Sequence, residues 1–285
     1  MPHTIGFVDN SNGQLAHYNM LQVIRDFAAA NSWQVLRYDT TLENRELILK
    51  GVGYSGTEEI FVGFRTYHNV DADYYNLVAG GFTGYVPGND FDHQPGAALS
   101  GVPSHNQRVD YWLTLTPQRI ALMMKVGTPV YESAYVGKCL PYARPSQYPY
   151  PLVCGGMLTG AAATRFSETV HAGYFKGNRA NMKLRTNDGW MQPHCYPWGN
   201  DLIAGNAISS TKTNLRDTGG IYHLLPIELH DNSANIWGTL EGVFYITGFD
   251  NAVENTLIIN GETFVVVQDV WRTGHTDYYA LRMDT

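Results

Sequence analysis

Residues 108–137 read RVDYWLTLTPQRIALMMKVGTPVYESAYVG. Val109, Tyr111, Leu113 and Leu115 fall at every second position, the period that places one set of side chains on one face of a pleated strand. A second apolar segment starts at Arg119, and Gly127 with Thr128 supplies turn chemistry before the next strand-like run. This stretch therefore predicts neighbouring strands joined by a turn, and a chain that is mostly β.

The same character extends outward. In EIFVGFRTY (59–67), Ile60, Val62 and Phe64 alternate with Phe61, Gly63 and Arg65, and WQVLRY (33–38) and ELIL (46–49) are shorter strand candidates. Only LAHYNMLQVIRDFAAAN (15–31) has helical spacing: Leu21, Ile24, Phe27 and Ala28 share a face, and Asn31 with Ser32 offers a stop. Towards the C-terminus, GTLEGVFYITGF (238–249), TLIINGETFVVV (256–267) and DYYALRM (277–283) again read as strands. Asn260-Gly261 between two β-branched runs predicts a type I′ hairpin, because both central residues of that turn need positive φ.

The expected fold is α+β, mostly β: one N-terminal helix packed on an antiparallel or mixed sheet, an irregular central region, and a C-terminal β element. The expected division is a helix-plus-sheet domain over 1–136, a Pro-, Gly- and Tyr-rich excursion over 137–220, and a β element over 221–285. The central stretch has little periodicity, and loops of that length are usually functional or belong to an interface.

Composition narrows the function. Of 285 residues 44% are hydrophobic and 16% charged, a low surface charge that suits a protein living in contact with others. Scattered basic residues, 19 against 26 acidic, disfavour binding to a nucleic-acid backbone. The start MPHTIGFVDN has neither a basic nor an apolar leader segment, and no apolar run is long enough to span a bilayer, so no signal peptide and no membrane partner are expected. Cys139, Cys154 and Cys195 are odd in number and lack a CxxC spacing, which favours a reduced, cytosolic state.

Several motifs resemble sites. GVGYSG (51–56) satisfies GxGxxG, with Asp71 and Asp73 at a ribose-carboxylate distance, but strand alternation follows where a nucleotide fold opens a helix. DFDHQPG (90–96) and QPHCYPW (192–198) contain ligand types such as Asp90, Asp92, His93, His194 and Cys195 without a metal-binding spacing. Asp110 beside Trp112 and Asp188 beside Trp190 offer carboxylates near aromatic platforms, yet no pair stands out as a glycosidase couple. No GxSxG occurs. The reading expects no catalytic residues, no metal and no cofactor.

What remains is tyrosine and proline. In PSQYPYPL (145–152), prolines at 149 and 151 remove backbone donors and deny the strip a place inside a sheet. Tyrosine offers large contact area at low entropy cost. Tyr131, Tyr135, Tyr142, Tyr148, Pro149, Tyr150 and Pro151 are therefore the expected interface residues.

Taken together, VYESAYVGKCLPYARPSQYPYPLVCGG (130–156), the preceding YWLTLTPQRIALMMKVG (111–127), EEIFVGFRTY (58–67) and the closing segment 238–284 resemble an uncharacterised family of virion structural proteins of tailed bacteriophages. The resemblance implies a multi-copy tail component of the neck, collar, terminator or baseplate. Its implied partners are other copies of itself in a symmetric ring and neighbouring tail proteins. It would be assembled in the host cytoplasm, without sequence-specific nucleic-acid binding. The alternative from another class is a phage-borne carbohydrate-binding module or polysaccharide depolymerase.

Overall fold

The computed structural model describes residues 1–127, 129–142, 149–175, 181–198, 219–231, 233 and 235–283. Among them the chain is mostly β with antiparallel sheets and a single helix. Three sheets are formed.

The first sheet runs in the order β1 (His3–Val8), β7 (Val109–Thr116), β8 (Arg119–Val126), β9 (Val130–Lys138), β11 (Leu152–Gly155), β13 (Lys183–Thr186) and β14 (Gly189–Met191). The second is β12 (Leu158–Thr159), β6 (Ala98–Val102), β5 (Tyr74–Phe82), β4 (Ile60–Asn69), β3 (Glu46–Gly51) and β2 (Gln34–Asp39). The third is β15 (His194–Tyr196), β16 (Leu225–His230), β17 (Ile236–Tyr245), β20 (Tyr278–Arg282), β19 (Glu262–Gln268) and β18 (Thr256–Ile259), with β10 (Leu140–Pro141) also on β17.

The first sheet is the middle layer. From β7, β8 and β9, residues such as Leu113, Leu122 and Val136 join Leu49, Val62, Phe64 and Leu77 of the second sheet in one core. The alternate residues, Ala121, Met123, Tyr131 and Tyr135, join Leu229, Val243, Val265 and Tyr279 of the third sheet in another. A strand buried on both faces has no polar face to show. The uninterrupted apolar run Ile120–Ala121–Leu122–Met123–Met124 has this cause, since every residue of it is buried.

Helix α1 (Ala16–Ala30) contacts β1 and β7 of the first sheet and β2, β4 and β5 of the second. Met20, Leu21, Ile24 and Ala28 enter the core between them, whereas Phe27 is only partly buried. No side chain of its own caps the N-terminus; Asn106 does so from the β6–β7 connection, its Oδ1 accepting from the Ala16 N–H at 3.0 Å. At the other end the Asn31 amide donates to the Phe27 carbonyl at 2.8 Å, and Ser32 turns the chain with φ of +70°. The expected hairpin forms over β18 and β19, with Asn260 and Gly261 at φ +53° and +81°.

The expected organisation needs two corrections. No break falls at residue 137: β9 runs through it, and the described part of 137–220 contributes strands to all three sheets instead of looping out. Its strands have two to four residues, too short to carry a periodic signal.

Candidate interaction surface

The expected interface residues separate into two groups. Tyr135 is fully buried; its hydroxyl donates to the Lys138 carbonyl at 2.8 Å and accepts from the Glu241 N–H at 3.2 Å. Tyr131 is nearly as buried and hydrogen-bonds Glu254, which also pairs with Lys125 at 2.6 Å. Both are corrections: they lie on the face of the middle sheet that the third sheet covers, so their rings are core rather than contact surface.

Of the rest, Tyr142 is 55% exposed, and its hydroxyl donates to Glu228 at 2.9 Å. Burial of the hydroxyl and then the Glu228 carboxylate push its pKa up to about 12. Pro149 and Tyr150 are half-buried, with the Arg185 guanidinium 5.6 Å from the Tyr150 ring centre. Pro151 is buried, its carbonyl accepting from the Cys139 N–H at 3.2 Å. Tyr148 lies outside the described residues.

The other sequence candidates are used internally. The GVGYSG turn leads into β4 and not into a helix. It clamps the layers instead: the Gly53 N–H donates to the Pro117 carbonyl at 3.0 Å, and the Tyr54 hydroxyl bonds Glu241, which with burial pushes that phenol up to about 12. In DFDHQPG, Asp90 pairs with His93 at 2.6 Å, Asp92 pairs with Arg65 at 3.0 Å, and Phe91 is buried. A cleft of about 350 Å³ next to them is lined by Glu43, Glu46, Arg65 and Phe91, and its Glu46 is bound to Arg37 at 2.7 Å. In QPHCYPW, His194 stacks on His230 and Cys195 is buried.

Asp110 holds Arg108 at 2.7 Å, and Asp188 sits in the β13–β14 turn, its N–H on the Thr186 hydroxyl. Trp112 packs on the second core, and the Trp190 ring N–H donates to the Gly96 carbonyl at 2.7 Å. All three cysteines are buried as thiols outside any disulfide, and burial pushes the Cys139 and Cys154 thiols up to about 12. Among the described residues no three His, Cys, Asp or Glu side chains gather as a metal site, and no helix is long and apolar enough to cross a membrane.

Two strand edges stand out that sequence reading passed over. At one end of the middle sheet, β1 pairs only with β7 among the described residues, and Ile5 and Phe7 project from it 58% and 53% exposed. The Leu115 N–H donates to the Pro2 carbonyl at 3.1 Å, which sets the phase of the ladder. By antiparallel alternation Thr4, Gly6 and Val8 face β7, while the N–H and C=O groups of His3, Ile5 and Phe7 point away from the sheet. A groove of about 320 Å³ runs beside this edge, lined by Phe7, Val8 and Asp9 and by Asn19, Gln22 and Asp26 of α1. Arg108 covers part of the Phe7 ring at 4.1 Å.

The second edge is β18, which ends the third sheet with Ile258 75% exposed. Next to it a groove of about 450 Å³ lies over the outer face of that sheet, between Tyr222, Leu224, Phe244, Ile259 and Phe264. The signal for both edges was present as short alternating runs, HTIGFV and TLII.

No protein-family profile matches the chain, and no curated protein matches it either.

Proposed function

We propose that the chain is an architectural component of a tailed-phage virion, associated with the tail and built in several copies through its free sheet edges. The observation that carries this reading is β1: three of its residues turn their backbone groups away from β7, and two of them carry exposed apolar side chains. Edges of this kind are templates for another strand, and chains that stay monomeric usually blunt them with charge, proline or a bulge. Pro2 precedes the strand, Asp9 follows it and the Arg108–Asp110 pair lies beside it, but none of them falls between Ile5 and Phe7. The likeness to virion proteins and the low share of charged residues support the same role.

In this role the protein works by subunit contact, in the host cytoplasm during assembly and in the tail afterwards. Light scattering followed by negative-stain imaging tests it. The expected result is a symmetric multi-subunit ring, reduced to single chains by the double substitution Ile5→Lys, Phe7→Lys with the far-UV spectrum unchanged. A protein that stays monomeric at every concentration, or assemblies that survive the double substitution, would overturn it.

A further inference from the structure

Away from the edges, a set of buried ionisable groups is unused by that role. Glu132 of β9 is wholly buried on the face towards the second sheet, and His171, equally buried, places Nδ1 2.9 Å and 3.2 Å from its two carboxylate oxygens. Asp269, also buried, accepts the Gly173 N–H at 2.6 Å and faces Arg272 at 3.1 Å. Arg272 donates in turn to the His171 carbonyl at 3.2 Å and lies over the Trp271 ring, which meets the His171 ring in a T-shaped contact at 5.5 Å.

At the centre is Val270, fully buried with φ of +59°. A β-branched residue in the left-handed region is an outlier that persists only where its surroundings impose it. The surroundings are specific: the Val270 carbonyl accepts from the Tyr131 N–H at 3.1 Å, and Asp269 and Arg272 are tied on either side. Residues 269–272 thus form a hook that holds 171–173 against the middle sheet.

We propose that this hook is a proton-dependent clasp, closed while the Glu132–His171 pair keeps its shared proton and opened when rising pH removes it, releasing the segment around His171 and the Trp271 ring from the sheet.

Charge balance gives the reason. With one proton on the pair, the positive and negative charges of Glu132, His171, Asp269 and Arg272 cancel. Without it, two buried carboxylates face one guanidinium. The other titratable groups in reach are Tyr67 of β4 and Tyr279 of β20, and burial pushes both phenols up, so they stay neutral through this range. Burial pushes Glu132 up to about 7 against the opposing pull of His171. For His171, burial works against the charged form, but the Glu132 carboxylate outweighs it and the net direction is upward. Both groups bind protons more tightly folded than unfolded, so their contribution is present at mildly acid pH and is lost as pH rises through about 7.

The test follows the Gly173 amide by hydrogen exchange, corrected for the intrinsic pH dependence, with Trp271 emission and far-UV dichroism recorded alongside. Across pH 7, protection of Gly173 should fall about tenfold, the factor carried by one unit of linked pKa, while the global fold is kept. Glu132→Gln, which keeps the shape and removes the titration, should flatten the profile. If that variant does not fold, the His171 ring resonance in the unaltered protein decides, because it must titrate with the same midpoint as the exchange. Constant protection across pH 7, a Gln variant with the original profile, or midpoints a unit apart would each sink the proposal.

Discussion

His17 shows what one side chain imposes on the whole. It sits on the buried face of α1 with its ring 4.6 Å from Tyr18, 5.2 Å from His68 and 5.9 Å from Tyr75, and neither ring nitrogen has a hydrogen-bond partner. Burial, helped by His68 and Arg45, pushes its pKa down to about 3. The folded value is below the ordinary histidine value, so the unfolded chain takes up the proton first. Stability must therefore fall as pH drops below about 6.5, at up to ~1.4 kcal/mol per unit until pH nears 3. Urea unfolding at pH 7, 5.5 and 4 should show this acid loss, and His17→Phe should remove most of it. An equally steep acid limb in that variant would place the titration elsewhere. The position was open to reading from sequence, since His17 precedes Leu21, Ile24 and Ala28 by four, seven and eleven residues, the repeat of one helical face. Its unpaired nitrogens were not, because they depend on what β4 and β5 bring to that face.

The elements were legible where a run was long enough to show its period and illegible where burial came from two sides. The β18–β19 hairpin was written in Asn260-Gly261, and Gly261→Val should cost about 1–2 kcal/mol, because valine is strained at the φ of +81° found there. Hydrogen exchange should place that loss in residues 256–265, without changing the rest of the third sheet. A loss spread evenly over all three sheets would mean that the hairpin unfolds only with the whole molecule. For β7 to β9, alternation located one core face but gave no sign that a third sheet covers the other. Tyr131 and Tyr135 were therefore expected at a surface and are instead core residues. β10 to β15 escaped notice for a different reason, because strands this short are held by their neighbours and not by a pattern of their own. The β1 edge was hidden within a start segment whose Ile5 and Phe7 look like any half-buried strand; only the strand order shows that β1 ends the sheet.

At the scale of the molecule, the three sheets meet at one carboxylate. Glu241 of β17, in the third sheet, accepts from Thr116 Oγ1 at the end of β7 and Gln118 Nε2 in the β7–β8 turn of the first sheet, each at 3.0 Å, and from the Tyr54 hydroxyl in the β3–β4 loop of the second. Close by in the same loop, Glu58 binds the buried Lys138 of β9 at 2.6 Å. A middle sheet that gives one face to each core already couples the outer layers, and this polar junction joins them where the apolar contact ends. Glu241→Gln keeps the volume but replaces a charged acceptor with a group that turns two donors towards donors. Hydrogen bonds to a charged group contribute about 1.5–3 kcal/mol, so the substitution should cost an amount in that range, and Tyr54→Phe, which leaves two of the three donors and removes a hydroxyl of a residue 60% exposed, where water can take its place, roughly 1 kcal/mol. Urea denaturation measures both, and the slope of the transition carries the further content. If the three layers unfold as one unit, the midpoint moves and the slope does not. A lower slope, or a second transition, would show that the third sheet separates from the other two when the junction is weakened. Losses below about 0.5 kcal/mol, the size of an ordinary surface change, would show that the apolar cores alone hold the layers together.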